Sequence, residues 1–336
     1  TRIPDHAAVT ETVGLVGRAE RGFVNAVLRR LAASPPGEPA GTTIAAQSVR
    51  TGVAPWAIRE LRALLGPEAE AAAAALAAPA PPSLRVNPCR ATAEALAARL
   101  SEVGAGTTAG TLHLGTLRLD APADPTRLPG FREGAFAIQD EASAWVVDVL
   151  DPQPGERVAD LCAGPGGKAA DIGCRAGGVV AADRSPARAA LVRKAARRLG
   201  VPVTVVVQDA ARPALRPGTF DRVLVDAPCS GIGSARRRPE LLWRPRREDL
   251  AGLARLQLGI LRAAAGLLRP GGVLVYSVCT FPAAETDRVC DALLVEEPTL
   301  APRPFTGPEG TPVARARLWP HRHGTDGMFV ARFEKA

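Results

Sequence analysis

No uninterrupted apolar run in this chain approaches the roughly 20 residues that span a bilayer; the alanine-rich stretch from Ala69 to Ala78 is short and stops at Pro79. A membrane helix is therefore not expected, and no apolar core with a small-residue cleavage site opens the sequence as a secretory leader would. The six cysteines include no CxxC pair, so the common zinc-ribbon and thioredoxin-type frames are absent. A chain of 336 residues can bury a core without cross-links, so Cys89, Cys174 and Cys290 are expected to pack as small apolar side chains in a reducing cytoplasm. Histidine is scarce: His113 stands alone, and His321 with His323 lacks a third ligand in pattern, so no metal is expected. Two nucleotide frames are also missing. Gly167-Lys168 is not followed by Ser or Thr and has no GxxxxGK spacing, which excludes a P-loop, and the glycines do not follow GxGxxG.

What remains is a globular composition, 46% hydrophobic and 23% charged, with length for two or three domains. A net charge of +8 and a pI near 9.8 suit a polyanionic partner such as nucleic acid. From Ala7 to Leu31 the spacing predicts a helix whose apolar positions Phe23, Val24, Val27, Leu28 and Leu31 share one face. Ser34 to Pro39 reads as a linker closing a segment at residues 1–36. Residues 37–130 read as a small α+β domain: helices at Trp56 to Leu65 and Ala91 to Val103, a strand in SLRVNP (Ser83 to Pro88), and a hairpin or strand pair at Leu112 to Leu119.

From residue 131 to 336 the pattern becomes strict strand–helix alternation. Strands are predicted at Arg157 to Leu161, Val179 to Ala182, Val203 to Val207, Arg222 to Val225 and Val273 to Ser277. Helices are predicted at Lys168 to Arg175, Pro186 to Leu199 and Glu248 to Leu268, followed by a helix at Ala283 to Glu296 and a last strand at Met328 to Phe333. This is an α/β doubly wound sheet, whose ligands bind beyond the carboxyl ends of the strands.

Those ends carry the chemistry. After the first strand comes DLCAGPGGK, Asp160 to Lys168, where glycines would let backbone pass close to a ligand at a helix N-terminus. Asp183 ends the second strand, in place to accept hydrogen bonds from ribose hydroxyls; Gln208 and Asp209 end the third, and Asp226 the fourth. Acids after three strands, with Lys168 the one cation in the turn, suit a cofactor without a phosphate chain, and S-adenosylmethionine fits. Cys229 after the fourth strand and Cys279 after the fifth could face one pocket. Carbon 6 of a pyrimidine is electron-poor; a thiolate adding there makes carbon 5 nucleophilic, and a second acid/base group must then remove the carbon 5 proton. Lys168 is the local cation that would favour a thiolate.

The strings VQDAARP, DAPCSGIG, YSVCTFPAAET and HGTDGMFVARF, with DLCAGPGGK, resemble the NOL1/NOP2/Sun family of RNA 5-cytosine methyltransferases. The resemblance runs through the whole chain. It implies a class I S-adenosylmethionine-dependent, Rossmann-like catalytic domain at 131–336, a small N1 domain carrying LRVNP at 37–130, and the end of a NusB-like helical RNA-binding domain at 1–36. It implies that Cys162, Ala163, Gly164, Pro165, Gly166, Gly167 and Lys168, with Asp183, Asp209 and Asp226, hold the cofactor. It further implies that Cys279 is the nucleophile, that Cys229 assists proton removal and release, and that Asp226 also holds the cytosine. Val278 departs from the family's usual threonine before the nucleophile.

The resemblance makes ribosomal RNA the expected substrate, with tRNA or another RNA as alternatives, for a monomeric enzyme. Beside the Cys229 loop, Arg236, Arg237, Arg238, Trp243 and Arg244 suit RNA, arginine on phosphates and tryptophan on bases. Three other classes stay open: a DNA cytosine methyltransferase, in which the cysteine after a proline in the fourth-strand loop attacks; an RNA-binding assembly factor with weak or no chemistry; and a small-molecule methyltransferase.

Overall fold

The computed structural model describes every residue except Thr1, Arg2 and Pro36; Pro36, within the expected linker, lies outside the described residues. The chain divides into units at residues 1–50 and 51–336. In the first, the single helix expected from Ala7 to Leu31 is two, α1 (Asp5–Gly14) and α2 (Arg21–Ala33). Gly14 and Gly17 fall within one turn of each other, and glycine weakens a helix by about 1 kcal/mol relative to alanine. The chain turns there. A third helix, α3 (Ile44–Thr51), crosses the limit between the units.

In the second unit α4 (Pro55–Leu65) starts with proline at its first turn, where the missing amide costs nothing. It pairs with α5 (Ala69–Ala77), the alanine-rich stretch, through buried Ile58, Leu61, Ala72 and Leu76. A small antiparallel sheet follows, built from β1 (Ser83–Val86), α6 (Ala93–Ser101), β2 (Thr107–Ala109), β3 (Thr116–Leu119) and β4 (Phe136–Ile138), with strand order β2-β3-β1-β4. Its fourth strand comes from beyond residue 130. Leu96 and Leu100 of α6 pack on Leu84, Val86, Leu117, Leu119 and Phe136.

The large sheet and its helices begin with α7 (Glu141–Leu150), β5 (Val158–Asp160), α8 (Gly167–Ala176), β6 (Val179–Asp183), α9 (Pro186–Leu199) and β7 (Val203–Val207). It continues through β8 (Phe220–Asp226), α10 (Asp249–Leu267), β9 (Leu268–Val278), α11 (Asp287–Glu296), β10 (Leu300–Pro302), the pair β11 (Phe305–Thr306) and β12 (Pro312–Val313), β13 (Arg315–Leu318), α12 (Pro320–His323) and β14 (Met328–Lys335). The order is β10-β14-β9-β8-β5-β6-β7, with β13 also on β14. Strands β5 to β9 pair in parallel, whereas β14 runs antiparallel to β9. Side chains alternate between two cores. Val223, Val225, Leu274 and Tyr276 meet α10 and α11, and Leu224, Val273 and Val275 meet α7 and α8.

By length and mean hydropathy α10, 19 residues at 1.3, is the one described helix able to cross a membrane. Its Ile260, Leu261, Ala264 and Ala265 lie in the sheet's core. The expected helix from Ala283 begins instead as a 3-10 turn at Ala283–Glu285, because Glu285 turns inward. Val278, the departure noted beside Cys279, is fully buried in the core.

Two features tie the small sheet to the large one. Cys89 and Cys174 form a disulfide across 85 residues, correcting the expectation that both merely pack. Asn87 explains the approach: its amide donates to the carbonyls of Gly134 and Leu199, both at 2.8 Å, and holds the β1–α6 loop against the large sheet's layer of helices. Cys290 does pack, buried in the core.

Arg85 on β1 is the second tie, with a side chain only 1% exposed. It pairs with Asp171 of α8 at 3.3 Å and donates to Gln139 Oε1 at 2.8 Å and to the Gly167 carbonyl at 3.4 Å. Removing one partner of a buried pair costs more than the pair contributes, since the other charge is stranded. Asp171 keeps Arg175 at 3.0 Å. Arg85→Ala is therefore expected to lower the unfolding free energy by about 3 kcal/mol in urea titration; an unchanged midpoint would contradict a structural role for this tie.

Candidate active site

At the switch point between β5 and β8, strand order reverses and the loops splay into a crevice. The Cys162–Lys168 turn leads into α8 there. Its glycines are also required by the protein's own packing. A Cβ at Gly164 would lie 2.5 Å from Asp183 Oδ2, and one at Gly166, whose φ is +111°, would lie 2.9 Å from the Val192 backbone. Only glycine lets this turn seat against α9.

The acids at the strand ends each have a distinct set of partners. Asp183 Oδ2 accepts from the Gly164 amide at 3.1 Å and Arg188 Nε at 3.0 Å, and its Oδ1 accepts from the Ser185 amide at 2.9 Å. Two lone pairs per oxygen leave it one acceptor position unless Arg188, 57% exposed, swings aside. Asp209 is exposed and accepts from the Ala211 amide. Gln208 accepts from the Ala214 amide, and its Nε2 is buried without a partner. Asp160, not singled out from the sequence, accepts from the Cys162 amide at 3.3 Å, while its buried Oδ2 has no partner. Burial, then the Asp226 charge, pushes its carboxyl up to about 7. Unpartnered acceptors among acids at strand ends fit a cationic group, as the sulfonium and ammonium of S-adenosylmethionine would be.

Lys168 and Asp226 form the charged centre. The ammonium lies 2.7 Å from Asp226 Oδ2 and 2.6 Å from Ser143 Oγ, and Asp226 Oδ1 accepts from Ser277 at 2.9 Å. Beside them β8 and β9 deliver Cys229 and Cys279 with sulfurs 3.6 Å apart. The two thiols are polarised in opposite directions. A hydrogen bond from Cys229 draws Cys279 below the ordinary thiol range, against burial, with Lys168 also lowering it. The same bond, then burial and the charges of Cys279, Glu285 and Asp226, pushes Cys229 well above it.

Glu285 was legible only as part of a motif string, with no role assigned. It is fully buried, and four donors surround its carboxylate. The Ser230 amide (2.9 Å) and Gln257 Nε2 (3.0 Å) reach Oε1, and the hydroxyls of Ser230 (2.6 Å) and Thr280 (3.5 Å) reach Oε2. Its position three residues after Pro282 carries no sequence signal of its own; only the fold brings it under the Cys229 loop.

The arginine stretch divides. Arg237, expected on RNA, is clamped by Asp140 at 2.7 Å and Asp326 at 3.2 Å and donates to the Pro81 carbonyl at 3.2 Å. Arg236 donates to the carbonyls of Gly324 and Thr325. Both pin the turn after Gly231 to the HGTDG segment, and Arg237 is held there because the shielded carboxylates of Asp326 and Asp140 demand a cation. Arg238 pairs with Glu240 at the surface, Arg244 is exposed, and Trp243 is 60% exposed with Nε1 bonded to the Gly52 carbonyl at 2.6 Å. His321 faces Glu68, His323 Nδ1 accepts from the Trp319 amide, and His113 bonds Thr116.

Residues 147–334 match the model of the 16S rRNA methyltransferase RsmB/F family, and residues 54–126 match the RsmF/B-like ferredoxin-like domain. A putative methyltransferase of Mycobacterium tuberculosis, MT1451, is 40% identical over 364 aligned positions, covering 100% of this chain and 78% of that protein. The ribosomal RNA small subunit methyltransferase B of Vibrio cholerae is 36% identical over 342, covering 99% and 78%. Among solved structures, a methyltransferase homologue from Pyrococcus horikoshii superposes with a TM-score of 0.74 at 27% identity, covering 88% of this chain and 100% of that one.

Two measurements follow from the site's electrostatics. Alkylation of Cys279 by iodoacetamide, read by peptide mass spectrometry against pH, should have its midpoint below that of an ordinary thiol, about 8.5. Cys229→Ala should raise that midpoint by removing the donor; an unmoved midpoint would contradict the polarised pair. Asp160 titrates higher folded than unfolded, so its protonated form favours the fold, and stability is lost as pH rises from about 4 through about 7. Asp160→Asn should therefore gain about 1–4 kcal/mol over the parent at pH 8 and little near pH 3 in thermal melts; a gain independent of pH would contradict the raised carboxyl.

Proposed function

The chain belongs to the RsmB/F family of 16S rRNA methyltransferases, and on its thiol pair we propose that it methylates carbon 5 of a cytosine in RNA through a covalent cysteine adduct. Small-subunit ribosomal RNA is the substrate in this reading. The 3.6 Å contact between Cys229 and Cys279 supports it, since release needs a second acid/base group beside the attacking thiol and Cys229 stands there.

The Cys162–Lys168 turn, Asp160, Asp183, Asp209 and Asp226 would hold S-adenosylmethionine, which supplies the methyl group when bound. Cys279, as thiolate, bonds to carbon 6 of the ring, and the ring's electron pair moves to carbon 5. Lys168, held by Ser143 and Asp226, keeps a positive charge near both the thiolate and the carboxylate. Asp226 presents its carboxylate to the cytosine. Once Cys279 is bonded to carbon, its charge beside Cys229 is gone and the Cys229 thiol becomes easier to ionise. After losing its own proton to solvent, Cys229 takes the proton from carbon 5. The carbon–sulfur bond then breaks, and its electron pair returns to Cys279. One proton is released per methyl transferred, and the pair is restored.

A target base must leave its stack to reach this crevice. Trp243, which follows the β8 loop in the chain, offers an exposed ring for a neighbouring base, and Arg238 and Arg244 offer phosphate contacts. Arg236 and Arg237, engaged within the protein, are not assigned to RNA.

With rRNA transcript and cofactor, Cys279→Ala should abolish methyl transfer, whereas Cys229→Ala should leave protein covalently bound to RNA on a denaturing gel. Exchanged outcomes would make Cys229 the nucleophile and overturn the assignment.

A further inference from the structure

We propose that Glu285 is the positioning residue that sets Cys229 against Cys279, and so governs release of the methylated RNA rather than attack on it; this rests on the release role given to Cys229 above. Cys229 lies in a loop with no regular structure of its own, between Pro228 and Ser230. Both neighbours are tied to one carboxylate. Ser230 donates its amide and hydroxyl to Glu285 at 2.9 and 2.6 Å, and Gln257 bridges Glu285 Oε1 at 3.0 Å to the Pro228 carbonyl at 2.9 Å. The other thiol's loop joins the same group, because Thr280 lies 2.7 Å from Ser230 Oγ and 3.5 Å from Glu285 Oε2. Glu285 itself cannot drift. The Tyr276 hydroxyl donates to its backbone carbonyl at 2.6 Å from within β9.

The dependence is unequal. Cys279 follows directly on β9, which is paired on both sides by β8 and β14 and fixes the nucleophile without Glu285. The Cys229 loop leaves β8 after Asp226; its backbone bonds to the neighbouring strand end are made by the amides of Ala227 to Ser277 and of Gly233 to Cys279, both at 3.0 Å, and between these two points the side-chain bonds to Glu285 hold it. Loss of the carboxylate should therefore let Cys229 move from the adduct while Cys279 stays in place. Where the pH is high enough to ionise Cys279 without its donor, carbon 6 would still be attacked and carbon 5 methylated, but the carbon 5 proton would lack its acceptor and the carbon–sulfur bond would persist. Gln at this position restores the geometry: its oxygen takes the Ser230 amide and Gln257, its amide donates to Ser230 Oγ, and the Ser230 proton turns to Thr280.

The test uses the full chain, small-subunit rRNA transcript and S-adenosylmethionine, with Cys229→Ala as the reference on the same denaturing gel. Glu285→Ala is expected, at a pH above that variant's Cys279 alkylation midpoint, to accumulate adduct and to lose about tenfold or more in multiple turnover while single-turnover methyl transfer is largely kept. Glu285→Gln is expected to turn over with little adduct, and Gln257→Ala to lie between them. Should Glu285→Ala fail to fold, Gln257→Ala and Ser230→Ala carry the same expectation of adduct. Adduct in Cys229→Ala but none in the folded loop variants overturns the role of Glu285 alone, as does a parallel loss of single-turnover transfer and adduct. No adduct even in Cys229→Ala overturns the reading of Cys229, and the role of Glu285 with it.

Discussion

The contact between two thiols at 3.6 Å is the constraint on which the rest of the site depends. One thiol must be ionised while the other stays protonated, whereas burial alone would leave both protonated. Parallel strands β8 and β9 meet the distance requirement by ending side by side, with Asp226 opposite Ser277 in register. The charge requirement is met from β5's turn, whose lysine reaches across to Asp226. Burial works against both charges. Lys168 stays protonated because Asp226 pairs with it, and the pair is kept in place by Ser143 and Ser277.

Much of this was readable in the sequence because it obeys local rules. Alternation of apolar runs with helical periods gave α9 and β7 with their observed limits, and the doubly wound topology then placed Asp183, Asp209, Asp226, Cys229 and Cys279 at one end of a sheet. Each lies within a few residues of a strand end, so strand prediction sufficed. The small domain was legible as α+β, but its fourth strand, Phe136–Ile138, was hidden by its brevity and by the helical run that follows it.

What could not be read was long-range pairing. Cys89 and Cys174 give no spacing clue, since Asn87, through contacts 47 and 112 residues away, brings them together. Arg236 and Arg237 sit in a basic run that suggests RNA; two buried acids, Asp140 and Asp326, claim Arg237 instead. A charge run shows composition, and only partners show use. Glu285 was missed for the same reason, its donors being drawn from β9, α10 and two loops.

Placing fluorine at carbon 5 of the target cytosine removes the proton that Cys229 must take, and so holds the adduct at the stage that the thiol pair exists to resolve. Incubating the protein with rRNA carrying 5-fluorocytidine and S-adenosylmethionine, then mapping the cross-linked peptide by mass spectrometry, tests the central claim most directly. The bond is predicted in the peptide containing Cys279; a cross-link through Cys229, or no cross-link at all, would contradict it.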